Sequence, residues 1–363
     1  MSGRLSKPAK RIVKLLAFAL VVHVFVIPQI GGARKAITVL SSVNPLLLVA
    51  AVLLQSGALL AYARMTQQLL PAQHRPSLPI TFGTVIASTG VSHVVPGGAA
   101  TTVAVNYRLL GRAGVPPDEL GFALGTQAIG SAVVLNVLLW IALIATIPVS
   151  GFDPLYGTAA GVGAVLIAVF AAAVVSMLRG RDALANRVAR LAGHIPKVNP
   201  DSVRTLILGL ADQLQLLSHD SKRLRIVITM AAANWLLDAA SLWVVMAAFG
   251  HPMNVVGLMV AYGLANVMAS IPISPGGLGV IEAVLIPTLV AFGSPRAEAA
   301  VAVVVYRLVQ FWLPIPAGAI AYVAVERATS GTEPGGFVGE INRHVPPSDR
   351  SSTGRRRAAR EAD

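Results

Sequence analysis

About six stretches of this chain, near 12–30, 46–64, 119–148, 154–178, 224–248 and 297–324, stay apolar for roughly twenty residues or more and carry little charge. A helix rises about 1.5 Å per residue and the hydrocarbon core of a bilayer is about 30 Å thick, so each run is long enough to cross a membrane. Inside hydrocarbon every backbone N–H and C=O must be paired within the protein, which leaves helices or closed barrels. Runs this long, without strict alternation, read as helices. Hydrophobic residues make up 55% of the chain and charged residues 12%, about half the charged share of a soluble domain. The expected fold class is an all-α polytopic membrane protein. There is no cysteine, which excludes disulfides, thiolate metal sites and cysteine nucleophiles together.

Charge then orients the runs. The formal net charge is +13, but the basic residues lie mainly between and beyond the apolar runs, as the positive-inside rule requires. No basic stripe is interleaved with aromatics, so nucleic acid is not an expected partner. Residues 1–30 read as a basic leader (Arg4, Lys7, Lys10, Arg11, Lys14) and an uncleaved first membrane helix, its apolar run being too long for a signal-peptide core. With six spans, both termini and the linker 179–223 fall on the cytoplasmic side of the cell membrane. That linker holds Arg179, Arg181, Arg187, Arg190, Lys197, Arg204, Lys222 and Arg223, with amphipathic helical spacing. The tail 325–363 is rich in Gly, Pro, Ser and Arg and is expected to be disordered. The external connections at 149–153 and 249–254 contain no Lys or Arg; Arg34, Lys35 and Arg296 are the outer exceptions.

Two further apolar stretches, 80–113 and 255–293, are each split by Pro-Gly-Gly into arms of about fifteen to eighteen residues. Short interrupted pairs of this kind read as re-entrant helical hairpins. A shift of 179 positions lays "PGGAATTVAVNYRLLGRAGVPPDELGFA" on "PGGLGVIEAVLIPTLVAFGSPRAEAAVA" without a gap. Pro96, Gly97 and Gly98 fall on Pro275, Gly276 and Gly277, and Gly114, Pro116 and Glu119 on Gly293, Pro295 and Glu298. The first repeat unit is 46–148, the second 224–324, and the fourth membrane helix, 154–178, lies between them. By charge the first unit begins and ends outside and the second inside, an inverted repeat with one hairpin entering from each face. Such repeats with broken helices place a substrate near the bilayer midplane.

In Pro-Gly-Gly the proline ends one arm because it has no N–H to donate. The glycines permit positive φ and close approach. The next arm then presents unpaired N–H groups and a positive dipole end, which suit a phosphate or carboxylate. Pro96, Gly97, Gly98, Pro275, Gly276, Gly277 and Gly279 are accordingly candidate substrate-binding positions. Ionisable residues inside spans are costly and by default functional, which adds Glu282, Arg307, Asp238 and His93. Glu282 and Arg307 read equally as an ion pair holding hairpin two to the last span and as head-group contacts. Asp238 is a partner for Arg307 or Asn266, and His93 reads first as a hydrogen-bonded core residue. Tyr306, beside Arg307, is a further candidate substrate-binding position, and Asn106, Tyr107 and Gln127 are polar neighbours. Glu282 and Arg307 align with Val103 and Ala128, so only the second half carries the charged pair. No paired carboxylates stand at i, i+3 or i+4 inside the membrane and no Walker A pattern is present, so neither enzymatic activity nor ATP hydrolysis is expected. No cofactor or metal is expected.

"PGGLGVIEAVL", "FGSP" and "VVVYRLVQFWLPIPAG" resemble the flippase-like domain family, the lysylphosphatidylglycerol synthase transmembrane region. Its pattern falls on Pro275, Gly276, Gly277, Gly279, Glu282, Gly293, Pro295, Tyr306, Arg307, Pro314 and Gly318, within a resemblance covering roughly residues 10–325. The resemblance implies a bacterial membrane protein that moves a lipid or lipid-linked group between leaflets. The first half departs from the family, since "PGGAATTV" and "GTQAIG" lack its acidic residue and arginine. The aminoacyl-transferase domain of the bifunctional synthases is not in this sequence, so lysyl-lipid synthesis is not implied. The expected function is a lipid translocase binding anionic or lipid-linked head groups. The alternative is a non-catalytic membrane partner of an envelope lipid or glycosyl-transferase enzyme, with small-solute transport less favoured.

Overall fold

The computed structural model describes residues 44–95, 99–150, 179–193, 199–250, 253–270 and 274–330, with a few isolated positions between 168 and 176. The spans 12–30 and 154–178, the Pro96–Gly98 break and residues 331–363 lie outside the described residues. Everything regular within them is helical. Helix α1 (Pro45–Leu69) begins at Asn44, whose side chain accepts from Leu46 N–H at 3.0 Å, closing an orphan donor of the first turn. It is followed by α2 (Leu78–Val94), α3 (Ala99–Arg112) and α4 (Pro117–Ser150). The linker folds as α5 (Arg181–Ala192) and α6 (Pro200–His219), clipped by an Arg181–Asp212 ion pair and by Arg204 on Asn186 at 2.9 Å. The second half comprises α7 (Ser221–Ala248), α8 (Val255–Ala269), α9 (Val280–Ala291), α10 (Arg296–Arg307) and α11 (Pro314–Thr329).

Among the described residues four helices, Pro45–Leu69, Pro117–Thr146, Ser221–Ala248 and the continuous Arg296–Thr329, are long and apolar enough to cross a membrane. Helices α2, α8 and α9 are shorter apolar elements of 17, 15 and 12 residues, or about 26, 22 and 18 Å. The last long helix runs past the expected end at 324 to Thr329. Glu326, on that extra turn, meets Arg112 and, at 3.4 Å, Arg108, which ties it to α3.

The 179-residue shift carries through to structure. Added to Pro117–Ser150 it gives 296–329, the bounds of the α10–α11 run. The turns before these helices match bond for bond. Val115 N–H reaches Leu110 C=O at 3.2 Å, and its counterpart Ser294 reaches Leu289 at 3.1 Å. Gly114 and Gly293 sit at φ 92° and 94°, the left-handed residue that such a helix ending demands.

Equivalent helices α1 and α7 pack together and run antiparallel. Ser241 Oγ donates to Ala51 C=O at 3.1 Å, Leu237 lies against Gly57, and Arg223 bonds to Gln68 C=O, so one chain index rises as the other falls. Two further packings cross between the halves. Helix α2 packs on α11, where a Cβ on Gly90 would stand 2.4 Å from Pro314 C=O and one on Gly318 2.8 Å from Ile86 C=O. Helix α8 packs on α4, where Leu139, the repeat counterpart of Gly318, lies in the notch left by Gly263. Small residues at these crossings let backbones approach, the main source of helix association where the surroundings are as apolar as the side chains. Outward positions carry large apolar groups instead, such as Leu46 and Ile320, both 73% exposed.

Candidate functional site

Helix α8 ends at Ala269 and α9 begins at Val280; among the described residues between them, Pro275–Gly277 forms a tight turn. Gly276, Gly277 and Gly279 take φ of 55°, 68° and 79°. At Gly276 the requirement is double, because a Cβ would also lie 2.4 Å from Phe311 and 2.9 Å from His93. The break exists because only glycine can turn left-handed inside so close a contact.

Facing it, the last long helix widens into a π-turn at Leu308–Trp312, closed by Leu313 N–H on Leu308 C=O at 2.9 Å. Pro314 follows directly, and a wider turn relieves the clash of its ring with the preceding carbonyl. Arg307 stands at the lip of this turn with its side chain 3% exposed. Its Nε donates to Glu282 Oε1 at 2.9 Å, Nη1 to Gln310 Oε1 at 2.7 Å and Nη2 to Gly276 C=O at 3.2 Å. Its guanidinium lies 4.5 Å over the Phe311 ring, adding a cation–π contact. Glu282 spends its other oxygen on Gly279 N–H at 2.8 Å. The anion at this helix end is therefore the chain's own carboxylate, held by both dipole and cation. A head-group phosphate meets Arg307 only by displacing it.

His93 joins from the first half. Its ring stacks on Phe311 with centroids 4.3 Å apart, and Nδ1 donates to Phe311 C=O at 2.9 Å. The end of α2 and the break after α8 thus meet across one phenylalanine, with His93 as a hydrogen-bonded core residue.

Asp238 pairs with neither Arg307 nor Asn266 in a hydrogen bond. It accepts from Tyr262 and Tyr306 hydroxyls, each at 2.8 Å, while the Asn266 amide bonds to Tyr262 C=O. Tyr306 accordingly faces Asp238, while the next residue, Arg307, faces Glu282. Gln127 bonds to Tyr62 C=O and Thr66 and serves packing between α1 and α4. Tyr107 is exposed, and Asn106 is buried with its Oδ1 unpartnered. Pro96, Gly97 and Gly98 lie outside the described residues, and Pro275 contributes backbone to the turn.

Sequence reading missed Gln310, Phe311 and Tyr262. The first two stand three and four positions after Arg307, hence on its helical face, which was a usable signal. Nothing in the sequence ties Tyr262 to Asp238. A second feature was also not foreseen, an apolar groove of about 850 Å³ between the arms α2 and α3 and helix α11. Val91, Val95, Ala104, Val105 and Tyr322 line it, and Arg108 stands at one end, 5.8 Å over the Tyr322 ring. Among the described residues no cluster of His, Asp and Glu is arranged to hold a metal ion.

The family model for the lysylphosphatidylglycerol synthase transmembrane region matches residues 11–318, and the chain belongs to that family. It is similar to a UPF0104 membrane protein of Methanothermobacter thermautotrophicus, 29% identical over 97 residues, which cover 27% of this chain and 29% of the relative. The inner membrane protein YbhN of Escherichia coli is 26% identical over 97 residues, 27% of this chain and 30% of that protein. The UPF0104 membrane protein MJ1595 of Methanocaldococcus jannaschii is 26% identical over 102 residues, 28% of this chain and 30% of its own length. The chain thus spans less than a third of each of these curated relatives.

Proposed function

We propose that this member of the lysylphosphatidylglycerol synthase transmembrane-region family moves a phospholipid or a lipid-linked head group between the leaflets of the cell membrane. The observation that carries the reading is the open groove of about 850 Å³ between α2, α3 and α11. Its wall is apolar from Val91 to Tyr322, and it reaches from the broken end of α2 along α3 to Arg108. Ala99 to Arg108 is about 14 Å of helix, half the thickness of the hydrocarbon core. That is the reach of one leaflet's acyl chains, with a guanidinium at the head-group end, and the volume lies in the range of a ligand cleft.

In this reading α2–α3 and α8–α9 are re-entrant hairpins, and 12–30 and 154–178 complete six spans, with both termini cytoplasmic. The antiparallel run of α1 against α7 supports inversion of the two halves. The break at Gly276 and the His93–Phe311 stack lie where the two hairpins meet, so an opening of one hairpin is transmitted to the other. The Glu282–Arg307 pair keeps the second hairpin closed until a head group exchanges for one of the partners.

The test is reconstitution of the chain in liposomes with fluorescent phosphatidylglycerol, lysylphosphatidylglycerol and a polyprenyl-linked glycolipid. Wild type should equilibrate one of these between leaflets. Ala104→Trp, at an outward position in the groove, should slow it at unchanged thermal stability. If wild type moves none of them, or Ala104→Trp moves lipid at the wild-type rate, the reading is wrong.

A further inference from the structure

We propose that Asp238 is a proton-binding site that couples this chain to a transmembrane pH difference; the coupling rests on the translocation reading above. Asp238, Tyr262 and Tyr306 come from α7, α8 and α10 and are 7%, 0% and 2% exposed. Each carboxylate oxygen takes one phenol hydrogen at 2.8 Å. That arrangement suits the ionised carboxylate, which accepts both phenol hydrogens, one on each oxygen.

Charge points the same way. Arg307, next to Tyr306, commits its three nitrogens to Glu282, Gln310 and Gly276 C=O. Counting Asp238 and Glu282 against Arg307 leaves one negative charge in excess. Around Asp238 the titratable or charged groups are Tyr262 on α8 and Tyr306 and Arg307 on α10, with Glu282 of α9 behind Arg307. The stretches of α1 and α4 packed on this part of α7, 51–59 and 127–135, hold no titratable side chain, and neither does 234–242 of α7 apart from Asp238 itself. An excess charge in hydrocarbon is expensive, and such residues mark ion and proton pathways.

Protonation changes the geometry as well as the charge. A protonated oxygen becomes a donor in a buried site where the two phenol oxygens are the acceptors at hand, so one phenol turns to accept or moves away. Tyr262 sits on the arm that leads into the Gly276 break, and Tyr306 adjoins Arg307 on the helix that grips it. Proton binding therefore loosens the first arm of hairpin two from α7, or frees the turn that carries Arg307. A proton taken up from one face and released to the other would link this loosening to head-group passage. A metal cation fits less well, because both carboxylate oxygens are already occupied by phenols rather than by further oxygen ligands open to an ion.

The experiment is a pH difference imposed across proteoliposomes containing the same three fluorescent lipids. The lipid that wild type moves should come to unequal leaflet populations. One proton per lipid gives about a tenfold ratio per pH unit, reversing when the difference is reversed. Asp238→Asn should equilibrate the same lipid to equal populations under any difference. Tyr306→Phe, a milder change that keeps the carboxyl, should shift the pH at which the response appears. Infrared difference spectra of the purified chain should show a protonated-carboxyl band on acidification that Asp238→Asn lacks. Lipid movement with equal populations in the wild type at every pH difference overturns the proton coupling and leaves translocation standing. Unequal populations driven by a sodium difference alone also overturn it. Movement of none of the three lipids removes the translocation reading itself.

Discussion

Neutralising one partner of the Glu282–Arg307 pair should cost far more than neutralising both. Arg307→Met removes three hydrogen bonds and the cation over Phe311. Bonds between helices in membranes are worth about 0.6 kcal/mol each, so their loss alone is a small effect. The larger effect is electrostatic, because Glu282, 18% exposed at its side chain, is left as an unpaired anion. Stranding a buried charge costs about 3–5 kcal/mol, whereas replacing both members of a pair is often close to neutral. Arg307→Met is therefore expected to destabilise by about 3 kcal/mol or more. Adding Glu282→Gln to it should recover about 2 kcal/mol, since the glutamine still accepts from Gly279 N–H and carries no charge. The assay is reversible unfolding in mixed micelles for wild type, both single variants and the double variant. A coupling energy near zero, with the two effects additive to within about 0.5 kcal/mol, would refute the claim that these side chains form one closed electrostatic unit.

The two matched turns should respond alike: Gly114→Ala and Gly293→Ala each force a left-handed alanine with nothing within 4 Å of its Cβ. Each should lose about 1–2 kcal/mol, equal within error, as read by thermal unfolding. Gly90→Ala should cost more than the overpacking range of about 1–3 kcal/mol, since its Cβ would meet Pro314 C=O at 2.4 Å, whereas Gly121→Ala, with open space around it, should be neutral or stabilising. The chain has no cysteine, so Asp118→Cys and Ala297→Cys, exposed and 179 positions apart, give a clean topology test. A membrane-impermeant thiol reagent should label the first from the cytoplasmic face and the second from the outside; labelling of both from one face would exclude inverted halves.

Much of the architecture was legible because a bilayer leaves few choices. Long apolar runs must become helices, and Pro-Gly-Gly between two of them must become a break. The glycines at 276, 277 and 279 were readable as sites of positive φ, and all three have it. Glu282 and Arg307 were readable as partners or head-group contacts, and the structure brings them to 2.9 Å. Other parts resisted. Asp238 was expected near Arg307 or Asn266 and instead holds two phenols, because hydrogen-bond choice depends on how three helices rotate about their axes. For α8 that rotation fits the notch at Gly263 that takes Leu139 of α4, which no local pattern reveals.

The sequence by itself determined where the chain must be helical, where it must break, and that one half repeats the other at an offset of 179 residues. These follow from local physics, namely backbone pairing in hydrocarbon, the missing N–H of proline and the freedom of glycine. Only the tertiary structure decided which helix faces which. It ran α1 antiparallel to its own counterpart α7, packed α2 on α11 and α8 on α4, and placed His93 across Phe311 from Gly276. It also opened a groove between α2, α3 and α11 while Glu282 closed the start of α9. Such choices depend on side chains more than two hundred residues apart, like His93 and Phe311, meeting in space. Periodicity reports only which face of a helix is apolar, and in a membrane nearly every face is.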